Sequence, residues 1–427
     1  MISFKEQFKI WLYVAAHSFG GPAGQMAVIH KKVVEEKKFI SEEKFLHALN
    51  FCMLLPGPEA QQLATYLGWM MGKWRGGLLA GGLFILPGFL SILALSFLYV
   101  LYQEAAFIQG LFYGMKPAII AIVISALWKI AKKSLTESIH WTLAWMAFVS
   151  LFFLNISFPL VVLTSAAVGM WYGKLFDQSQ WSYDKTLVRP RLKDTLNSVV
   201  VWGGIWLLPI VSVLVFFGAD STFHQLNFFF SKMSMVTFGG AYAALSYVAQ
   251  KAVEVHGWLQ GAEMLDGLAM AETTPGPLIQ TVQFVGFMAS YRFPDGLHPL
   301  VAATLGSLLV TWMTFAPCFL WIFTFAPYVE YLRSRKTLAH ALKGISAAVV
   351  GVILNLSLWF VLKTLFTQSQ TMKVFPIDFE YPVISSLDPY ALGICVASMV
   401  MIFALKRSIH FTLLVSVVLG VIVKFYV

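Results

Sequence analysis

Two helix-breaking motifs return in this chain at one fixed distance. Phe19-Gly20-Gly21 recurs as Phe238-Gly239-Gly240, and Pro56-Gly57-Pro58 recurs as Pro275-Gly276-Pro277. The offsets are equal, 238 − 19 = 219 and 275 − 56 = 219, so no insertion separates the two copies. Lys32/Lys251, Glu35/Glu254, Leu46/Leu265, Leu49/Leu268 and Gln61/Gln280 keep the same register. A gapless repeat of residues that interrupt helices implies a duplicated unit whose interruptions are its working part.

The breaks sit in apolar surroundings. Leu78–Tyr102 and Leu300–Phe325 are continuous apolar runs, and a helix needs roughly 20 such residues to cross a hydrocarbon core. Charged residues make up 12% of the chain and mean hydropathy is +0.73, whereas a soluble domain carries about 25% charge. The sequence predicts an all-α polytopic membrane protein. A transmembrane barrel does not fit, because the runs are continuous rather than alternating. Met1–Lys9 lacks a signal-peptide layout, so the first helix is expected to persist. The net charge of +9 gathers in short loops between apolar runs, which points to topology rather than to a nucleic-acid partner.

Three segments organise the chain: a first repeat over 1–174, a basic linker with one connecting apolar helix over 175–219, and a second repeat over 220–427. Lys/Arg placement gives orientation. Lys129, Lys132, Lys133 and the linker residues Lys174, Lys185, Arg189, Arg191 and Lys193 read as cytoplasmic, and the 103–110 and 154–158 loops, without Lys or Arg, as external. The second repeat reverses this. Arg333, Arg335, Lys336 and Lys343 occupy the counterpart of 103–110, and Lys406-Arg407 opens the counterpart of 154–158. The connecting helix supplies the odd crossing. The expected architecture is two inverted-topology repeats with broken or re-entrant helices. Segments 4–38 and 44–72, with equivalents 223–255 and 263–291, each begin and end on one side of the membrane.

The breaks carry the candidate chemistry. Glycine permits unwound backbone, and Pro22 suits the first turn of the next helix. Such a half-helix points unpaired N–H groups and the positive end of its dipole at a cavity, which favours an anion; the plain alternative is a packing notch. Candidate substrate-binding residues in the first copy are Phe19, Gly20, Gly21, Pro22, Gln25, Pro56, Gly57, Pro58, Gln61 and Gln62. Their counterparts in the second copy are Phe238, Gly239, Gly240, Tyr242, Thr273, Thr274, Pro275, Gly276, Pro277 and Gln280. Lys116 either snorkels to the interface or supplies positive charge to an anion site. Glu59 follows its Pro-Gly-Pro and Glu272 precedes its own; each is a candidate for proton coupling or an interfacial cap. Lys31, Lys32, Lys37 and Lys38 alternate with Glu35 and Glu36 as a solvated face. Cys52, Cys318 and Cys395 lack metal or redox spacing, and no nucleotide-binding loop, catalytic triad or metal cluster stands out. The chain reads as a transporter without a cofactor or metal, and not as an enzyme.

Ser18-Phe-Gly-Gly-Pro-Ala-Gly-Gln25, His47 through Gln62 with Leu55-Pro-Gly-Pro-Glu59 at its centre, and Arg75-Gly-Gly with Leu86-Pro-Gly88 form one set of motifs. Phe238-Gly-Gly-Ala-Tyr-Ala243 and Ala271-Glu-Thr-Thr-Pro-Gly-Pro-Leu-Ile-Gln280 form the other. Together they closely resemble the chromate ion transporter family in its long, two-unit form. The resemblance implies a cytoplasmic-membrane exporter of chromate, driven by membrane potential, proton antiport or both, and conferring chromate resistance. The oxyanion is expected near the midplane between the repeats. Sulfate is its structural mimic, so transport of sulfate or another oxyanion, or a channel-like conductor, stays open. The expected partners are the oxyanion, the lipid bilayer and, as an open assembly state, a homodimer.

Overall fold

Long apolar runs place no polar side chains to compete for the backbone, so they settle as helices. The structure is a computed structural model describing residues 3–19, 21–176, 192–238, 240–329, 336–374 and 377–426. The first repeat forms α1 (Phe4–His17), α2 (Gly21–His30), α3 (Glu42–Cys52), α4 (Glu59–Tyr102), α5 (Ala106–Ser134), α6 (Ser138–Phe152) and α7 (Phe158–Phe176). The connecting helix is α8 (Leu192–Phe217). The second repeat forms α9 (Thr222–Val236), α10 (Ala241–Ala249), α11 (Gly261–Thr273), α12 (Thr281–Arg292), α13 (Pro299–Phe325), α14 (Lys336–Leu365), α15 (Pro389–Met399) and α16 (Ile409–Tyr426).

Seven helices among the described residues are long and apolar enough to cross a membrane. This is an all-α polytopic membrane protein. Only 6% of the apolar window of α8 is buried, at a mean hydropathy of 2.4, and Val215 and Phe216 are 73% and 80% exposed. Such a surface has no place in water and fits lipid.

The predicted broken helices are present. α1 and α3 open on serine caps, with Ser3 Oγ accepting from Glu6 N–H and Ser41 Oγ from Lys44 N–H. Ten-residue α2 and eleven-residue α3 extend about 15 and 16 Å at 1.5 Å per residue, roughly half of a 30 Å hydrocarbon core. α2 and α10 each continue into one π-helical turn, Lys31–Glu36 and Gln250–Val255, again 219 residues apart (250 − 31). Both turns end alike, with Lys37 N–H donating to Lys32 O and His256 N–H to Lys251 O. α4 is two arms joined at Gly72 and Lys73, where the helical dihedrals fail. The arms fold back on each other at a small-residue seam: a Cβ on Gly68 would lie 2.5 Å from Ala80 Cβ.

The chain divides into two compact units. The first contains Met1–Ala94, Tyr172–Ala244 and Thr274–His340; the second contains Leu95–Trp171, Leu245–Thr273 and Ala341–Val427. Each unit therefore draws on both repeats. The first is built around Trp11, Phe45, Leu63, Leu67, Phe84 and Ile322. In the second, two glycine seams repeat each other. Gly114 of α5 abuts Ser416 and Gly420 of α16, and Gly344 of α14 abuts Ser165 and Gly169 of α7. The turns of the two late hairpins match as well, with positive φ at Asn155 (49°) and Lys406 (50°). Ile156 N–H donates to Ser150 O and Arg407 N–H to Met401 O, each at 2.9 Å. One element was not foreseen: strands β1 (Ser369–Val374) and β2 (Ile377–Pro382) pair antiparallel between α14 and α15.

Candidate functional site

In the first unit the two sets of breaks are stapled to each other reciprocally. Gly57 N–H donates to Thr237 O at 2.7 Å, and Gly276 N–H donates to Ser18 O at 2.9 Å. Donors and acceptors obey the repeat, since 276 − 57 = 219 and 237 − 18 = 219. Each acceptor is the residue just before a Phe-Gly-Gly. The acceptors are prepared identically: Ser18 Oγ donates to Val14 O at 2.6 Å and Thr237 Oγ1 to Met233 O at 2.7 Å. Phe19 N–H donates to His17 O and Phe238 N–H to Val236 O.

Both staple glycines need their lack of a side chain. Gly57 has φ +124° and Gly276 φ +115°, backbone that L side chains rarely adopt. A Cβ at Gly57 would stand 2.8 Å from Gln62 Nε2 and 2.9 Å from Cys318 Sγ. At Gly276 it would stand 3.1 Å from Gly88 Cα, in the Leu86-Pro-Gly motif.

The other predicted residues gather around these staples. Phe19 and Phe238 lie in the breaks; Gly21 and Pro22 open α2, and Tyr242 lies in the first turn of α10. Pro56 and Pro58 flank Gly57, as Pro275 and Pro277 flank Gly276. Gly20 and Gly239 lie outside the described residues, as do 177–191 of the basic linker and Arg333 and Arg335. Gln25 Nε2 donates to Gly276 O at 2.5 Å, and Gln62 Nε2 to Pro56 O at 2.7 Å. Gln61 Nε2 reaches Thr65 Oγ1 at 3.0 Å, and Gln280 Nε2 reaches Gln283 Oε1 at 3.1 Å. These amides hold loops and helices together. The Oε1 atoms of Gln61, Gln62 and Gln280 are buried with no hydrogen-bond partner among the described residues. Thr274 is buried at 8% exposure, and Glu59 opens the first turn of α4.

Four predicted or related residues fall in the second unit. Glu272 is 2% exposed near the end of α11, and Thr273 Oγ1 bonds back to Ala269 O at 2.9 Å. Lys116 Nζ lies 3.2 Å from Asp266 Oδ2, with side-chain exposures of 22% and 3%. Tyr99 OH donates to the same oxygen at 3.0 Å. Sequence reading missed Asp266. Its signal was available, since it is one of three carboxylates, with Glu263 and Glu272, on a helix whose other residues are mostly apolar.

Paired, reciprocally stapled helix breaks among apolar helices define a membrane protein of the repeat-built class. The chromate transporter family matches residues 5–170 and 224–423, and the chain belongs to that family. The two matched regions start 224 − 5 = 219 residues apart and leave out the linker and all of α8. A chromate transport protein of Pseudomonas aeruginosa is 30% identical over 359 residues, covering 82% of this chain and 80% of that one. One from Cupriavidus metallidurans is 28% identical over 344 residues, covering 80% and 79%. A probable chromate transport protein of Synechococcus elongatus is 29% identical over 358 residues, covering 82% and 83%. No solved structure matches the chain.

Proposed function

We propose that this protein is a secondary transporter that exports chromate across the cell membrane and so confers chromate resistance. Chromate as cargo is supported by membership of the family and by relatives named for chromate transport over about four-fifths of their length. The observation that carries the site is the reciprocal pair of staples, Gly57 to Thr237 and Gly276 to Ser18. It fixes the starts of α2 and α10 beside the Pro-Gly-Pro loops of the opposite repeat. The Gly57 and Gly276 N–H groups are consumed by the staples, and the buried amide oxygens nearby repel an anion. The oxyanion is better served by the first-turn N–H groups of α2 and α10, which have no acceptor within their own helices.

The energetics allow export without ATP. One charge crossing 100 mV is worth about 2.3 kcal/mol, so a dianion leaving a negative interior gains roughly 4.6 kcal/mol. At about 1.4 kcal/mol per tenfold, that sustains a gradient near a thousandfold. Chromate flux into proteoliposomes at a set potential tests the reading, comparing wild type with Gly57→Leu and Gly276→Leu. Saturable, potential-dependent wild-type flux and its loss in both variants are expected. Equal flux in all three would sink the site, and single-channel currents would replace the transporter with a conductor. Sulfate competition measures how far the site separates two tetrahedral dianions.

A further inference from the structure

The repeat accounts for the breaks in both halves and, among the described residues, leaves one ion pair with a fully buried carboxylate that has no counterpart in the other half. Asp266 in α11 is sealed at 3% side-chain exposure, with Lys116 Nζ of α5 at 3.2 Å. Its Oδ2 also takes the Tyr99 hydroxyl, while Oδ1 is buried with no hydrogen-bond partner among the described residues. The 219-residue offset sets His47 opposite Asp266 (266 − 219 = 47). Aligning Gly114-Met-Lys with Gly344-Ile-Ser sets Ser346 opposite Lys116. A pair needed only to pack the duplicated helices would stand in both copies. Apolar side chains would also pack α5 against α11 without stripping two charges of water.

The two charges differ in reach. Lys116 keeps 22% exposure and can meet a solute, whereas Asp266 is reached through Lys116 and Tyr99. An anion that draws Lys116 Nζ away leaves a carboxylate in apolar surroundings without its cation. A carboxylate so placed takes a proton rather than stay charged. Glu263, on the same helix, is a like charge that favours the same outcome; its Oε2 already accepts from Gln260 N–H at 2.7 Å.

We propose that Asp266 binds a proton together with an oxyanion held at Lys116, so that the proton travels with the anion. This rests on the oxyanion transport proposed above. A proton from water adds to Asp266 Oδ1, Lys116 Nζ passes from Oδ2 to an anion oxygen, and both changes reverse on release. One dianion with one proton then carries a single net negative charge, so the gradient that 100 mV sustains falls from near a thousandfold to about fortyfold. Exchange at Glu59 or Glu272 would move protons the other way.

Proteoliposomes with a pH dye inside, given an inward chromate gradient, test the sign. Wild type is expected to acidify the lumen as chromate enters, and Asp266→Asn to carry chromate without acidification. One linked proton makes anion affinity fall about tenfold per pH unit between the group's titration points in the free and in the anion-bound protein. That slope is read as wild type against Asp266→Asn at each pH, so that the anion's own protonation cancels. Lumenal alkalinisation, or an unchanged proton signal in Asp266→Asn, overturns the proposal. Infrared difference spectra of the purified proteins give a readout independent of flux. A carboxylic-acid band is expected to rise when chromate is added to wild type, to be absent from Asp266→Asn, and to stand without chromate in Lys116→Gln. Failure of the wild-type band overturns the proposal even if no variant transports. A normal band with no wild-type flux refutes the transport reading and leaves Asp266 as the proton site.

Discussion

At the residue scale, the staple glycines carry unequal burdens. Both hold positive φ, so any side chain brings backbone strain at either position. Gly57 adds a crowded neighbourhood, with Gln62 Nε2 and Cys318 Sγ 2.8 and 2.9 Å from where a Cβ would stand, whereas Gly276 meets its nearest atom at 3.1 Å. Strain of this kind costs upward of about 1 kcal/mol, and overpacking adds about 1–3 kcal/mol. Gly57→Ala should therefore destabilise by about 2–4 kcal/mol and Gly276→Ala by about 1–2 kcal/mol, read from thermal unfolding in detergent. The reverse order would mean that Gln62 yields freely and that the crowding at Gly57 is slack. The repeated Pro-Gly-Pro made both glycines legible in the sequence. Their partners were not, because Ser18 and Thr237 act through backbone carbonyls, which any residue can supply. Asp266 was hidden for a different reason: its importance lies in a cation 150 residues earlier (266 − 116) that only the fold brings near.

At the element scale, helix positions followed from the apolar runs, and the breaks from glycine and proline. The fold-back of α4 was half visible, since Lys73 and Arg75 mark an aqueous turn, but a seam of glycines is as compatible with a straight helix as with a hairpin. The β1–β2 hairpin escaped although Ile377-Asp-Phe-Glu-Tyr381 alternates apolar and polar residues, because two six-residue strands are short beside the long apolar runs that dominate the chain. The glycine seams of the second unit make a quantitative claim. Gly114 and Gly344 play one role in two copies, each set directly against a carbonyl of the facing helix. Gly114→Ala and Gly344→Ala should each cost about 3 kcal/mol, at the upper end of overpacking losses. Matching shifts in the thermal midpoint are expected. A large loss at one position and none at the other would show that the two seams are equivalent in sequence alone.

At the scale of the whole molecule, reciprocity is the organising fact. First-repeat donors bond second-repeat acceptors and the converse, and the seams of the second unit follow the same repeat. Contacts of the form i to j and j to i are those of an isologous, twofold relation. Reciprocity alone does not orient that axis; from the loop charges we propose that it lies in the membrane plane. Equivalent residues then lie on opposite faces. Ser41 and Gln260 are equivalent (260 − 41 = 219) and both are exposed at helix starts. The three native cysteines are buried, so an impermeant thiol reagent applied to intact cells should find little background. Gln260→Cys, Glu104→Cys and Thr371→Cys should react from outside, whereas Ser41→Cys and Lys133→Cys should react only after the membrane is opened. Labelling of Ser41→Cys and Gln260→Cys from the same side would leave the duplication intact but make it parallel. The half-helices of the two repeats would then enter from one face, and α2 and α10 would no longer approach a shared anion from opposite directions.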